Sequence, residues 1–185
     1  MALKATIHKV ELAVSDMDRG YYATHALTLA RHPSETSERL MVRLLAFALY
    51  ADETLEFGRG LSADDEPTLW KKDLTGNIEH WIDVGLPDER LLRKASGRAK
   101  LVTLVTYGGR GAGIWWNANQ AALERLENLD IIDLPADATQ SMATLVDRNM
   151  AINATIQDGH VFIGDAAHTV SIEPALIKRR VENKN

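Results

Sequence analysis

Apolar and polar positions alternate with strand-like period from the start of the chain. Residues 5–14 are rich in β-branched side chains, with Ile7 and the run from Val10 to Val14 supplying the apolar positions. Positions 15–20 (Ser-Asp-Met-Asp-Arg-Gly) form a turn cluster, and Tyr21–Arg31 reads as a partner strand, so an N-terminal hairpin is expected. The period then changes. Pro33-Ser34 marks a helix start with Ser34 as N-cap, and Met41, Val42, Leu45 and Leu49 recur at helical spacing to about Ala51, with Leu44, Phe47 and Ala48 widening the stripe. Strands are expected at 55–60, 68–74 and 78–86, the last two joined by the turn Thr75-Gly76-Asn77. Pro87-Asp88 opens a second helix to about Arg98. The apolar run 101–107 has the character of a strand buried on both faces in a mixed or parallel sheet. Residues 34–107 thus read as helix, three strands, helix, strand: an α/β core built on a mixed sheet.

Past this core, Gly108 to Gly113 reads as a flexible surface turn leading into a helix that carries Trp115, Trp116 and Leu123. Strands follow at 130–134, 151–157, 160–163 and 169–173, with Asp158-Gly159 as a two-residue hairpin signal. The tail from Lys178 is polar and expected to fray. With no repeat and no linker, a single domain over 1–185 is the expectation.

Composition narrows the classes. Apolar content of 45% and charged content of 25% suit a globular core and argue against wholesale disorder. The absence of cysteine excludes disulfides, zinc–thiolate clusters and cysteine nucleophiles, and fits a reducing cytoplasm. No apolar run is long enough to span a membrane as a helix, and the N-terminus alternates too early for a signal peptide, so a cytosolic protein is expected. A net charge of −5 weakens a general nucleic-acid-coating role but allows a local basic groove beside an acidic site. The six histidines show no metal-ligand spacing and read as structural.

Three carboxylate positions carry the candidate chemistry. Glu38 lies on the apolar stripe of the first helix and serves either the helix dipole or an inward metal or water, whereas Glu35 suits the dipole from solvent. Asp83 stands mid-strand, where Asp is disfavoured, on the face shared by Glu79, Trp81 and Gly85, as a salt-bridged edge carboxylate or a ligand. The run Asp64-Asp65-Glu66 is a solvated turn unless the following hairpin brings Asp65 or Glu66 beside Asp83. Such a cluster would hold Mg²⁺ or Mn²⁺, with Glu66 and Asp83 as the metal ligands, and the ion would polarise a phosphodiester and activate water.

Several segments resemble the bacterial YaeQ family: 1–7, 29–36, 63–67 (Ala-Asp-Asp-Glu-Pro), 85–90 (Gly-Leu-Pro-Asp-Glu-Arg), Ile114-Trp115-Trp116, and 154–159. The resemblance implies a variant restriction-endonuclease-like fold of the PD-(D/E)xK nuclease superfamily, with an extra N-terminal hairpin and C-terminal strands. It implies Glu38 as the acid of the first helix, Asp65 or Glu66 as that of the second strand, and Asp83 as that of the third-strand motif. The motif lysine is expected at position 85, where this chain has Gly85. Lys94 can supply a migrated cation, as can Arg90 or Arg93, to assist deprotonation of water or to stabilise charge on phosphate.

The glycine-rich stretch lacks dinucleotide and P-loop spacing, though Arg110 is placed to touch a phosphate. Trp115 and Trp116 cannot share one helix line, so one is expected in the core. The other, taken as Trp116, would be partly exposed and able to stack a base. Three readings follow: metal-dependent phosphodiester hydrolysis on nucleic acid, a catalytically silent nucleic-acid- or protein-binding module, or an enzyme for another phosphorylated substrate. Fold alone does not separate them.

Overall fold

The computed structural model describes residues 4–60 and 65–182; positions 1–3, 61–64 (with Asp64 of the acidic run) and 183–185 lie outside the described residues. The chain begins with β1 (Thr6–Asp16), β2 (Tyr21–Arg31), α1 (Ser37–Leu49), β3 (Leu55–Phe57), β4 (Leu69–Lys72) and β5 (Ile78–Val84). It continues with α2 (Glu89–Arg98), β6 (Ala99–Thr106), α3 (Arg110–Leu123), β7 (Leu129–Asp133) and α4 (Ala136–Met142), which runs into a 3₁₀ turn at Ala143–Leu145. The C-terminal part adds β8 (Asn149–Gln157), β9 (His160–Gly164), β10 (Thr169–Ile172) and β11 (Ala175–Lys178). The order expected for the core, helix, three strands, helix, strand, is observed from α1 to β6.

Two mixed sheets result, with strand orders β10-β9-β8-β1-β2 and β11-β7-β6-β5-β4-β3. They enclose α1. Every residue from Leu40 to Ala48 is buried, and their core cluster takes Val10, Leu12, Val14 and Ile152 from the first sheet and Ile82, Val84 and Val105 from the second. A helix buried all round has no dry and wet sides, so the apolar stripe understated its burial. The opposite face of the second sheet buries Trp81, Val102 and Leu104 against Leu92 and Ala95 of α2 and Leu123 of α3. β6 lies parallel between β5 and β7, as its unbroken apolar run suggested.

Local chemistry explains most boundaries. The N-cap of α1 is Thr36, whose Oγ1 accepts from Arg39 N at 3.1 Å, and not Ser34, whose hydroxyl is held 2.6 Å from His32 Nδ1. Asp88 caps α2 as the Pro-Asp pair implied. Asp158 and Gly159 adopt φ of 52° and 75°, the left-handed pair of a tight hairpin turn, and their N–H groups donate to Asp18 at 2.7 and 2.9 Å. Three expectations fail. Gly111 and Gly113 belong to α3, so the turn is only Gly108-Gly109; α4 and β11 were not foreseen; and the tail expected to fray from Lys178 is fastened at its start, where Lys178 Nζ donates to the Leu126 and Leu129 carbonyls at 2.8 and 2.9 Å and Val181 N to the Glu127 carbonyl at 2.8 Å, its last positions, 183–185, lying outside the described residues.

On the α1 side of β5, His80 Nε2 lies 2.8 Å from Thr103 Oγ1, and its ring stands edge-on to Tyr50 at 5.1 Å. Burial pulls the imidazole down to about 4, against an ordinary value of 6.5. The folded chain therefore binds this proton less readily than the unfolded chain. The associated stability is complete above about 6.5 and is lost as pH falls toward 4, on the order of 3 kcal/mol in all. Urea midpoints across that window are expected to fall less steeply for His80→Gln than for the parent chain.

Candidate functional site

The site is organised by charges spaced four apart at the entrance of α1. Glu35, Arg39 and Arg43 fall on one line, and Glu35 and Arg43 are each only 5% exposed. Arg43 Nε lies 2.7 Å from Glu35 Oε1 and its Nη2 donates to Glu35 Oε2 at 3.0 Å, while Nη2 also donates to the Ala30 carbonyl of β2 at 3.0 Å. Burial pulls the Arg43 guanidinium below its ordinary value, and Glu35 beside it pushes the other way. Glu35 was expected in solvent. It is instead the counter-ion of a buried arginine, a role that the Glu-x₃-Arg-x₃-Arg spacing could have disclosed.

Arg39, one turn earlier, reaches the end of β5, where Nη1 donates to the Val84 carbonyl at 2.9 Å. Its Nε is 3.7 Å from Glu35 Oε1 and buried, with no hydrogen-bond partner among the described residues. The chain leaves β5 through Gly85 at φ of +101°, and a Cβ there would stand 3.1 Å from Arg39 Nη1. Gly85, at the position where the resemblance implies lysine, thus has a local cause: the backbone needs glycine, and the Arg39 guanidinium takes the adjoining space.

Asp83 lies beside this corner. Its Oδ1 accepts from Thr68 N at 3.0 Å and its Oδ2 from Trp81 Nε1 at 2.7 Å. Burial raises its pKa, opposed by the bonds from Trp81 and Thr68 and by Arg39. A cavity of ≈ 360 Å³ opens there, with Arg39, Arg43, Arg59 and Lys94 as its cations and Glu35, Glu66 and Asp83 as its carboxylates.

The expected acids do not act as one cluster. Asp83 and Glu66 line the cavity together, but Glu66 Oε2 accepts from Arg59 N and Oε1 from Arg59 Nε, both at 2.9 Å. Asp65 is exposed and pairs with Lys94 at 3.0 Å, while its carbonyl accepts from Arg98. Glu38 is not a lining residue. It points to α4, where Thr139 Oγ1 donates to its Oε1 at 2.6 Å. Among the described residues, no three Asp, Glu, His or Cys side chains are placed to hold a metal ion. With Glu66 and Glu38 committed to protein donors, the arrangement does not fit a resident divalent cation, which requires free oxygen ligands.

The remaining candidates lie away from the cavity. Arg110 is exposed at the start of α3. Trp115 and Trp116 are both half-buried against the second core cluster, rather than one in and one out, and Trp115 Nε1 donates to the Pro87 carbonyl at 2.8 Å. Sequence reasoning missed Arg39, Arg59 and Thr68 as cavity residues. Only the helical spacing of Arg39 signalled its place.

The family model described as "YaeQ protein" matches residues 1–174. Relatives named "Uncharacterized protein YaeQ" include that of Salmonella typhi, 47% identical over 173 residues, covering 94% of this chain and 96% of the relative. That of Escherichia coli (strain K12) is 46% identical over 172 residues, covering 93% and 95%. The crystal structure of YaeQ protein from Xanthomonas axonopodis pv. citri superposes with a TM-score of 0.91 at 50% identity, covering 96% of this chain and 99% of that one. The YaeQ protein of Pseudomonas syringae gives 0.91 at 38% identity, covering 95% and 97%. The chain belongs to the YaeQ family.

Glu35→Ala strands the Arg43 guanidinium without its counter-ion and is expected to cost about 3–5 kcal/mol in urea unfolding. Glu35→Ala combined with Arg43→Met should recover most of that loss. Gly85→Ala forces a Cβ into a positive-φ position against Arg39, for which ~1–3 kcal/mol is expected in the same assay.

Proposed function

We propose that this YaeQ-family chain is a nuclease-like protein whose present arrangement binds the phosphate backbone of nucleic acid without a resident metal. The observation that carries the reading is the position of Lys94, which lines the cavity and also belongs to the exposed face of α2. From Glu89 to Lys100 the chain carries Arg90, Arg93, Lys94, Arg98 and Lys100 against the single carboxylate Glu89. All five cations are exposed, three of them in surface ion pairs: Arg93 with Glu89, Lys94 with Asp65 and Lys100 with Glu79. An overall charge of −5 therefore hides a local basic band that ends in a cavity of arginines, the footprint that phosphate binding requires. Arg39 and Arg59 would meet the phosphate inside the cavity, and the α2 cations would follow the strand beyond it.

Hydrolysis is the second reading. Its support is that Asp83 and Glu66 line the same cavity as Arg39, and that among the described residues Asp83 Oδ2 accepts a single hydrogen bond and keeps acceptor capacity. That reading needs Glu66 to leave Arg59 and Mg²⁺ or Mn²⁺ to enter with the substrate.

Fluorescence anisotropy with labelled single- and double-stranded DNA and RNA across a salt series tests the first reading. Affinity should fall with salt, and Arg39→Ala and Lys94→Ala should each weaken binding and reduce the slope of log K against log[salt] by about one. Binding that ignores salt, or that survives both substitutions, would refute it. Calorimetric Mg²⁺ titration should give no protein-only binding. Cleavage of the oligonucleotides with Mg²⁺ or Mn²⁺, abolished in Asp83→Ala, would establish the hydrolytic reading instead.

A further inference from the structure

Four strands end the two sheets, and three of them are poor templates for pairing. β3 has three residues, β10 has four, and β11 has four with an irregular register between Leu176 and Lys178. β2 is different. It runs for eleven residues in unbroken register against β1, and among the described residues no strand lies on its other side, where the Ala30 carbonyl near its end accepts from Arg43 Nη2 at 3.0 Å. Its sequence, Tyr-Tyr-Ala-Thr-His-Ala-Leu-Thr-Leu-Ala-Arg, contains no Pro, Gly, Lys, Asp or Glu, and its one full charge is Arg31 at the end. Proteins blunt long edges with charges, proline, bulges or brevity, and β2 uses none of these along its length.

We propose that β2 is an interface, on which a second copy of this chain lays its own β2 antiparallel and joins the two five-stranded sheets into one. The occupant follows from self-complementarity. On an antiparallel edge the outward N–H and C=O groups recur at alternate residues, so two copies of one strand bond only when paired positions share parity. Centring the pair on Ala26 meets that condition and is the register that pairs all eleven residues. On the outer face it sets Tyr22 opposite Ala30, Thr24 opposite Thr28 and Ala26 opposite itself. On the inner face it sets Tyr21 opposite Arg31, Ala23 opposite Leu29 and His25 opposite Leu27.

No like charges meet in this register. The Thr–Thr pairs are of a kind that stabilises sheets, and each Arg31 meets a tyrosine ring at an opposite end of the interface. The two-fold relation is isologous and closes, so a dimer forms rather than a filament. Ala30 and His32 line the cavity, so the pairing also brings Tyr22 of one copy beside the cavity mouth of the other.

Sedimentation equilibrium over a concentration series tests this with the full chain. The parent protein should show twice the 20.5 kDa chain mass. Thr24 and Thr28 are exposed, so charges there spare the core. The double variant Thr24→Lys/Thr28→Lys sets lysine against lysine in this register and should be monomeric, with an unchanged circular dichroism spectrum. Thr24→Lys/Thr28→Glu sets lysine against glutamate and should remain dimeric. A parent chain that stays at 20.5 kDa throughout, a lysine pair that leaves the dimer intact, or dissociation of the Lys/Glu variant would each overturn the proposal.

Discussion

Arg43 is a full charge in the middle of a helix with no wet side. The nine residues from Leu40 to Ala48 are all buried, and Arg43 is the only ionised one among them. A charge taken out of water in this way is tolerated only with a counter-ion and satisfied donors. Glu35, bent back just ahead of the helix, supplies the carboxylate, and the Ala30 carbonyl supplies an acceptor from β2. The pair therefore ties the end of the first hairpin to the entrance of α1. It also directs Arg39, one turn earlier, to the Val84 carbonyl, so the corner where β5 ends is built from what the buried charge requires.

Legibility in the sequence followed how local each cause was. The β1–β2 hairpin, the Asp158-Gly159 turn, the Asp88 cap and the order from α1 to β6 depend on neighbours in the chain, and they were readable. The start of α1 was misplaced by two residues because Ser34 and Thr36 are equally good caps in isolation. His32 holds the Ser34 hydroxyl, and Thr36 is left to cap. α4 is short and made of small and polar residues, so no period announces it. Missing α4 had a consequence for the site, because Thr139 on that helix donates the hydrogen bond that holds Glu38.

A helical stripe could not assign a direction to Glu38 once the helix proved buried on all sides. Apolar spacing tells a core face from a wet face, and α1 has two core faces, one toward each sheet. β11 was hidden for a different reason. It is held through Lys178 to carbonyls near β7, and through Arg180 to Asp130 at 2.7 Å, contacts made some fifty residues away and invisible to any local window.

The carboxylates near the cavity are better understood by what releases them than by their number. Arg43 and Glu35 have side chains only 6% and 3% exposed, and separating them leaves a bare charge in the core, so Arg43 stays a structural cation. Arg59 is 74% exposed and Lys94 51% exposed, and water screens their pairs with Glu66 and Asp65, so those pairs separate at little cost. Arg39 lies between these cases, anchored by one backbone bond with its Nε unpartnered among the described residues. Ranked this way, the cavity offers two exposed, exchangeable cations, Arg59 and Lys94, and one fixed guanidinium, Arg39. Under the binding reading proposed above, such a gradient would let a phosphate exchange with the exposed pairs and meet Arg39, with or without chemistry at Asp83.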